Sequence, residues 1–144
     1  MEIFEAKEVT DEMVDAWKLL MPQLSTSNPP PSREALQEIV STPTTVLFMA
    51  REDGRLIGSL SLATFRVPTG IRAWIEDVVV DESMRGRGIG EALTRAALVK
   101  AREMGVRTVD LTSRPSREAA NRLYVRVGFE PRNSNLYRYR IPQE

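Results

Sequence analysis

The sequence predicts a mixed α/β fold, with early antiparallel hairpins followed by strand–turn–helix pairs. Three observations predict it. Two apolar, β-branched runs, residues 45–50 and 56–65, flank Asp53-Gly54, a dipeptide that favours a tight hairpin turn. A third such run ends Trp74-Ile75-Glu76-Asp77-Val78-Val79-Val80 and leads through the glycine-rich stretch Arg85-Gly86-Arg87-Gly88-Ile89-Gly90. Beyond it, Ile89, Leu93, Ala97 and Ala101 repeat at the spacing of one helix face. Hairpins first and strand–helix pairs later do not make a strict βαβ series.

Each element has its own warrant. Ile3-Phe4 begins a short strand. Thr10 caps a helix whose first turn carries Asp11 and Glu12, favourable to the helix dipole, and whose apolar stripe is Met13, Val14, Trp17 and Leu20, with Pro22 just past its end. Residues 25–31, rich in Ser and Pro, have no periodicity and read as a loop. Ser32 caps a second short helix with Leu36, Ile39 and Val40 facing inward, and Pro43 breaks the chain before the hairpin. Pro68-Thr69-Gly70 turns the chain into the strand that ends at Val80. Gly105 closes the helix after the glycine-rich stretch, and residues 106–112 form the next strand. Pro115 and Ser116 open a helix holding Tyr124, which Gly128 ends. The alternation Leu136-Tyr137-Arg138-Tyr139-Arg140-Ile141 predicts a last strand. There are no internal repeats and no long linker, so residues 1–144 read as one domain.

Composition narrows the function. Twenty basic residues balance twenty acidic ones, which argues against bulk electrostatic affinity for nucleic acid or an anionic membrane. With no cysteine there is no disulfide, thiolate zinc site or cysteine nucleophile, and no metal is expected. With no histidine, a catalytic base has to be a carboxylate, a tyrosine, a lysine or a water. No apolar run approaches the roughly 18 residues of a membrane span, and the N-terminus lacks a signal-peptide pattern. A cytoplasmic enzyme, monomer or homodimer, is the expectation.

The glycine-rich stretch joins a buried strand to a helix N-terminus. Glycines let a backbone approach a ligand closely, unpaired N–H groups at a helix start face an anion, and Arg85 and Arg87 add charge-assisted bonds to phosphate. A dinucleotide fingerprint would need glycine at position 91, which is Glu91, and a Walker loop would need Gly-Lys-Ser/Thr, which is absent. What remains is the pattern Arg-x-x-Gly-x-Gly, filled by Arg85, Gly88 and Gly90. A second motif follows downstream, where Ala120, Leu123, Tyr124, Gly128 and Phe129 fall in the register Ala-x-x-Leu-Tyr-x-x-x-Gly-Phe.

Together the two motifs resemble the GNAT superfamily of acetyl-CoA-dependent N-acetyltransferases. The resemblance is sharpest from Ile75 to Phe129 and is topological before that. It implies a twisted, mostly antiparallel mixed sheet flanked by helices, with central strands that splay to admit the acyl arm. It implies acetyl-CoA as co-substrate, its pyrophosphate on Arg85, Gly86, Arg87, Gly88, Ile89, Gly90 and Glu91, and its acyl arm along the backbone of Val78, Val79 and Val80. In the family an Asn precedes the Ala-x-x-Leu-Tyr pattern and contacts the pantetheine arm. Arg117 stands there in this chain, with Asn121 one turn later, so that contact is altered: Arg117 reaches a phosphate or points to solvent.

Acyl transfer to an amine also needs a base, stabilisation of the oxyanion and a proton for the departing thiolate. The resemblance implies a glutamate base on the strand ending at Val80. Glu76 and Asp77 are carboxylates in an apolar run, costly unless partnered, and alternation puts them on opposite faces, with Glu76 beside Trp74, Val78 and Val80. Glu76 is therefore the candidate base, or else a structural carboxylate held by an arginine such as Arg72. Tyr124 occupies the family's proton-donor position, or else packs as a helix aromatic. The acceptor site would be built from the first two helices, residues 25–31 and residues 67–70. A small-molecule amine or a peptide N-terminus both fit. An acyl-CoA-binding sensor of the same fold without turnover is the alternative.

Overall fold

Local chemistry sets the elements where the sequence places them. In the computed structural model, which describes residues 1–144, strand β1 (Glu2–Glu5) leads to helix α1 (Asp11–Leu24), capped by Thr10, whose hydroxyl accepts from the Met13 N–H; the helix does not stop before Pro22 but takes it into its last turn and ends at Leu24. Helix α2 (Arg33–Ser41) is capped the same way by Ser32 on the Ala35 N–H. Strands β2 (Thr45–Glu52) and β3 (Arg55–Val67) meet at Asp53-Gly54, and both turn residues have positive φ, 51° and 75°, as a hairpin turn matching strand twist requires. Strand β4 (Gly70–Val80) runs through a short 3₁₀ turn, Glu82–Met84, into helix α3 (Ile89–Glu103); Gly105, at φ 81°, lies just past its end. Strand β5 (Thr108–Asp110) is shorter than the predicted 106–112.

These elements form the unit Met1–Thr112, a five-stranded sheet in the order β1-β2-β3-β4-β5, antiparallel except for the β4–β5 pair. Register sorts its two faces. Met49 opposes Ser59, which opposes Val79, and this face carries the core of Met13, Trp17 and Leu20 from α1 and Leu36 from α2. Ala50 opposes Gly58 on the other face, where a Cβ on Gly58 would lie 3.4 Å from Leu93 of α3. The predicted face of α3, Ile89, Leu93, Ala97 and Ala101, is buried throughout.

Two features position chemistry. The β4–β5 pairing covers only Arg72–Trp74 against Thr108–Asp110, so the β5-side edge of β4 has no strand partner from Ile75 onward. β5 is paired along its whole length and stops at Asp110, so the open edge comes from a short β5. Second, Ser61 opposes Glu76 while Ser59 opposes Val79, so Asp77 and Val78 together face the single residue Leu60. Asp77 takes φ 50° there, a β-bulge in the middle of the strand. The bulge corrects the predicted faces. Beyond it the alternation is shifted by one residue, so Glu76 shares its face with Trp74 and Val79, while Val80 moves to the face of Ile75.

The unit Ser113–Glu144 holds one regular element, helix α4 (Glu118–Val127). Its N-cap is Arg117, not Ser116, and no side chain caps it; Gly128, at φ 122°, ends it as predicted. The predicted last strand does not form. Residues 136–141 have no strand or helix, and Leu136, Tyr137, Tyr139 and Ile141 are 67–86% exposed. Alternation makes a segment fit for a strand, but a strand exists only where a neighbour completes its hydrogen bonds. No helix of the protein is long and apolar enough to cross a membrane.

Candidate active site

Strand β4 places two carboxylates at its bulge. Burying a charged group in a strand is costly, and the bulge lets both adjacent side chains reach solvent, as strict alternation would not. Glu76 has no cation partner. Arg72, two pairs along the same face, gives its Nη2–H to the Thr69 hydroxyl at 2.8 Å, so it does not hold Glu76 as a structural carboxylate. Partial burial, and then the negative charge of Asp77, raise the Glu76 carboxyl above its ordinary range. A carboxylate with a raised pKa and no counter-ion is a stronger base than an ordinary one and suits the role of proton acceptor.

Past the bulge the chain reaches the glycine-rich turn. Asp81, 5% exposed, leads into the 3₁₀ turn and accepts from the Ser83 hydroxyl at 3.0 Å. Arg85 gives its Nε–H to the Val80 carbonyl at 3.2 Å, and Arg87 lies 3.6 Å from the Asp53 carboxylate of the β2–β3 hairpin. Gly86 and Gly88 adopt φ 81° and 79°, and a Cβ on either would meet nothing within 4 Å. The glycines therefore serve the left-handed backbone and leave its outer surface open, rather than relieving contact inside the protein. Gly88 is the N-cap of α3 and contributes no side chain, so the first amides of the helix lie behind an open glycine surface, a setting for an anion such as a diphosphate. Ile89 is buried beneath the turn, Gly90 accepts from the Thr94 hydroxyl, and Glu91 pairs with Arg95 at 3.1 Å. Of the valines, Val79 packs in the core, whereas Val78 and Val80 are half-buried on the open-edged stretch of β4.

In the second unit, Tyr124 is buried and meets Phe129 edge-on, ring centroids 5.7 Å apart at 71°. Burial raises its phenol pKa, and the Arg117 guanidinium opposes that shift, so the hydroxyl stays protonated at neutral pH and is a competent proton donor. Asn121 gives its amide N–H to the Arg114 carbonyl at 3.0 Å, closing the loop ahead of α4. Glu76, Val78, Val79, Val80 and the turn from Arg85 to Glu91 thus share one continuous segment of the first unit, while in the second Asn121 and Tyr124 lie on α4 and Arg117 at its N-cap. Sequence reasoning missed the bulge and Asp81. The doublet Glu76-Asp77 signalled the bulge, since adjacent charges in a buried strand are accommodated only if alternation breaks.

Comparison with known proteins agrees with this geometry. The model of the acetyltransferase (GNAT) family matches residues 13–129. An N-alpha-acetyltransferase 30 of Schizosaccharomyces pombe is 32% identical over 93 residues, 64% of this chain and 61% of that protein. The chain spans between 26% and 61% of the length of the curated relatives it matches. Among solved structures, an acetyltransferase of Trypanosoma brucei is 27% identical with a TM-score of 0.75, over 96% of this chain and 98% of that one. AAC(6')-Iy, solved with the bisubstrate analogue CoA-S-monomethyl-acetylneamine, shares the fold at 22% identity and a TM-score of 0.78, over 97% and 98% of the two chains.

Proposed function

The chain belongs to the acetyltransferase (GNAT) family, and on that premise we propose that it transfers the acetyl group of acetyl-CoA directly to a primary amine of a small molecule or peptide. One observation carries the reading: β4 bears, at its bulge, a partnerless carboxylate with a raised pKa and then runs along an open edge into a left-handed glycine turn at a helix N-terminus. Binding and proton removal are thereby laid out along one strand.

In this reading the amides at the start of α3, with Arg85 and Arg87, hold the diphosphate, and the open edge of β4 around Val78–Val80 offers backbone groups to the acyl arm and thioester carbonyl. Glu76 takes a proton from the acceptor amine, directly or through water, and Tyr124 returns one to the departing thiolate. Asn121 and Arg117 flank the pantetheine arm. With no cysteine in the chain, transfer proceeds in a ternary complex, so initial-rate plots against both substrates should intersect; an acetylated enzyme isolated without acceptor would overturn this. We place the whole chain in one cytoplasmic domain, monomeric or homodimeric, using neither metal nor nucleic acid nor membrane.

The test is thermal melting with acetyl-CoA, NAD and GTP, followed by thiol release across a panel of amines. Acetyl-CoA should raise the melting temperature and the others should not. Equal stabilisation by NAD would sink the reading of the turn. Tight acetyl-CoA binding with no thiol release from any amine would favour the silent sensor instead.

A further inference from the structure

A contact between residues 58 positions apart ties the end of α1 to the 3₁₀ turn that leads into the glycine-rich stretch. The Gln23 side chain gives an Nε2–H to Asp81 Oδ1 at 3.2 Å, while its Oε1 accepts the Glu82 backbone N–H at 2.8 Å. The same Nε2 group also reaches the Leu19 carbonyl at 3.2 Å, which holds the carboxamide against its own helix. Asp81 is in turn fixed on the sheet, its N–H donating to the Ile57 carbonyl at 2.7 Å. Buried acceptors and amide donors without partners are costly. One carboxamide here satisfies both a buried carboxylate and the first amide of the 3₁₀ turn. Just beyond Gln23, the Ser25 hydroxyl accepts from the Asn28 side chain at 2.8 Å and from the Ser27 N–H at 3.3 Å, so the start of the loop folds back on Ser25, the C-cap of α1 two residues from the clamp.

We infer that Gln23 is a positioning residue that locks the coenzyme turn to the loop following α1, so that occupancy of the turn orders residues 25–31. The inference rests on the coenzyme reading of the turn and goes beyond it, because it assigns a coupling between the two substrate sides to a side chain that touches neither reacting group. The carboxamide is specifically required. A carboxylate at position 23 would face Asp81 with like charge and no donor, whereas Asn at position 81 would supply the missing N–H to that carboxylate.

The experiment uses the full chain with acetyl-CoA as probe and compares the parent with Gln23→Leu, Gln23→Glu and Gln23→Glu/Asp81→Asn. Calorimetry gives acetyl-CoA affinity, melting gives stability, and hydrogen exchange follows residues 25–31 with and without saturating acetyl-CoA. The parent should gain protection in this segment on binding. Gln23→Leu should bind about tenfold more weakly and, once saturated, show no gain in protection. Gln23→Glu should be weaker still, and the double variant should return to within about threefold of the parent. A lowered melting temperature in Gln23→Leu with parental affinity and parental protection would overturn the inference, as would a double variant no better than Gln23→Glu. If Gln23→Glu does not fold, Gln23→Leu and the double variant decide alone. A parent that binds no acetyl-CoA would overturn the reading of the turn itself, a result distinct from binding without protection.

Discussion

Residues 76–90 and residues 117–129 both carry motif residues, but they are built in opposite ways. In the proposed mechanism the first segment acts through its backbone. Asp77, Gly86 and Gly88 take positive φ, and β4 presents an open edge beyond Trp74. The second is a regular helix with Tyr124 buried edge-on to Phe129 and Asn121 bound to the Arg114 carbonyl, and in the proposed mechanism it acts through side-chain atoms. A backbone-built site suffers when φ is constrained and should reveal damage as lost coenzyme affinity. A side-chain-built site tolerates an isosteric change in shape and should reveal damage as lost turnover.

The largest effect should come from Tyr124→Phe. The ring and its contact with Phe129 survive, and only the hydroxyl donor is removed. The turnover number should fall by roughly 10²–10⁴, the range for losing a general acid, with acetyl-CoA affinity little changed. Steady-state kinetics with an active acceptor, paired with calorimetry, checks both halves. Parental turnover would make Tyr124 a packing residue and erase the contrast between the two segments.

Next is Gly88→Val. A β-branched residue resists φ near 79°, at a cost of about 1–3 kcal/mol if the turn must be restored on binding. That corresponds to acetyl-CoA affinity about 5- to 150-fold weaker. No protein atom lies within 4 Å of the added Cβ, so the helix beneath should remain folded, as circular dichroism would show. Unchanged affinity would mean that the turn does not hold the coenzyme.

The two modes of construction also explain what the sequence made legible. Caps at Thr10 and Ser32, the Asp53-Gly54 hairpin and the buried face of α3 follow from chemistry within a few residues, and all were readable. The bulge had only the adjacent charges of Glu76 and Asp77 as a signal, because a one-residue insertion in an apolar run leaves composition and periodicity almost unchanged and its geometry is defined by the register with β3. The clamp between Gln23 and Asp81 joins residues 58 apart, for which no local pattern exists. Residues 136–141 fail for the reverse reason. Their alternation is clear where β2 is only a continuous apolar run, but β2 has neighbours on both edges and residues 136–141 belong to no strand pair.

A smaller effect is expected for Glu76→Gln. The rate should shift toward higher pH, since the amine must then lose its proton unaided. Stability gives a second reading. Because the folded Glu76 carboxyl is held above its ordinary value, its contribution is fully present below the unfolded pKa and is lost as pH rises through the folded value. The melting temperature of Glu76→Gln relative to the parent should therefore be more favourable at neutral pH than in acid. An unaltered rate profile would return Glu76 to a surface carboxylate.

The smallest effect should be that of Asp77→Asn. At φ 50° position 77 needs a residue that tolerates the left-handed region, and Asn does so as readily as Asp, so the bulge should persist. The change removes one negative charge beside Glu76. Burial is the larger cause of the raised Glu76 pKa and the Asp77 charge the second, so the pKa should fall without reaching its ordinary value. The acid limb of the pH–rate profile should move to lower pH by less than Glu76→Gln alters the profile, while acetyl-CoA affinity stays at the parental value. Asp77→Val removes the same charge but resists positive φ, and it should damage the strand as well as the titration. If Asp77→Asn and Asp77→Val behave alike, the backbone at the bulge is not what sets this segment apart from α4.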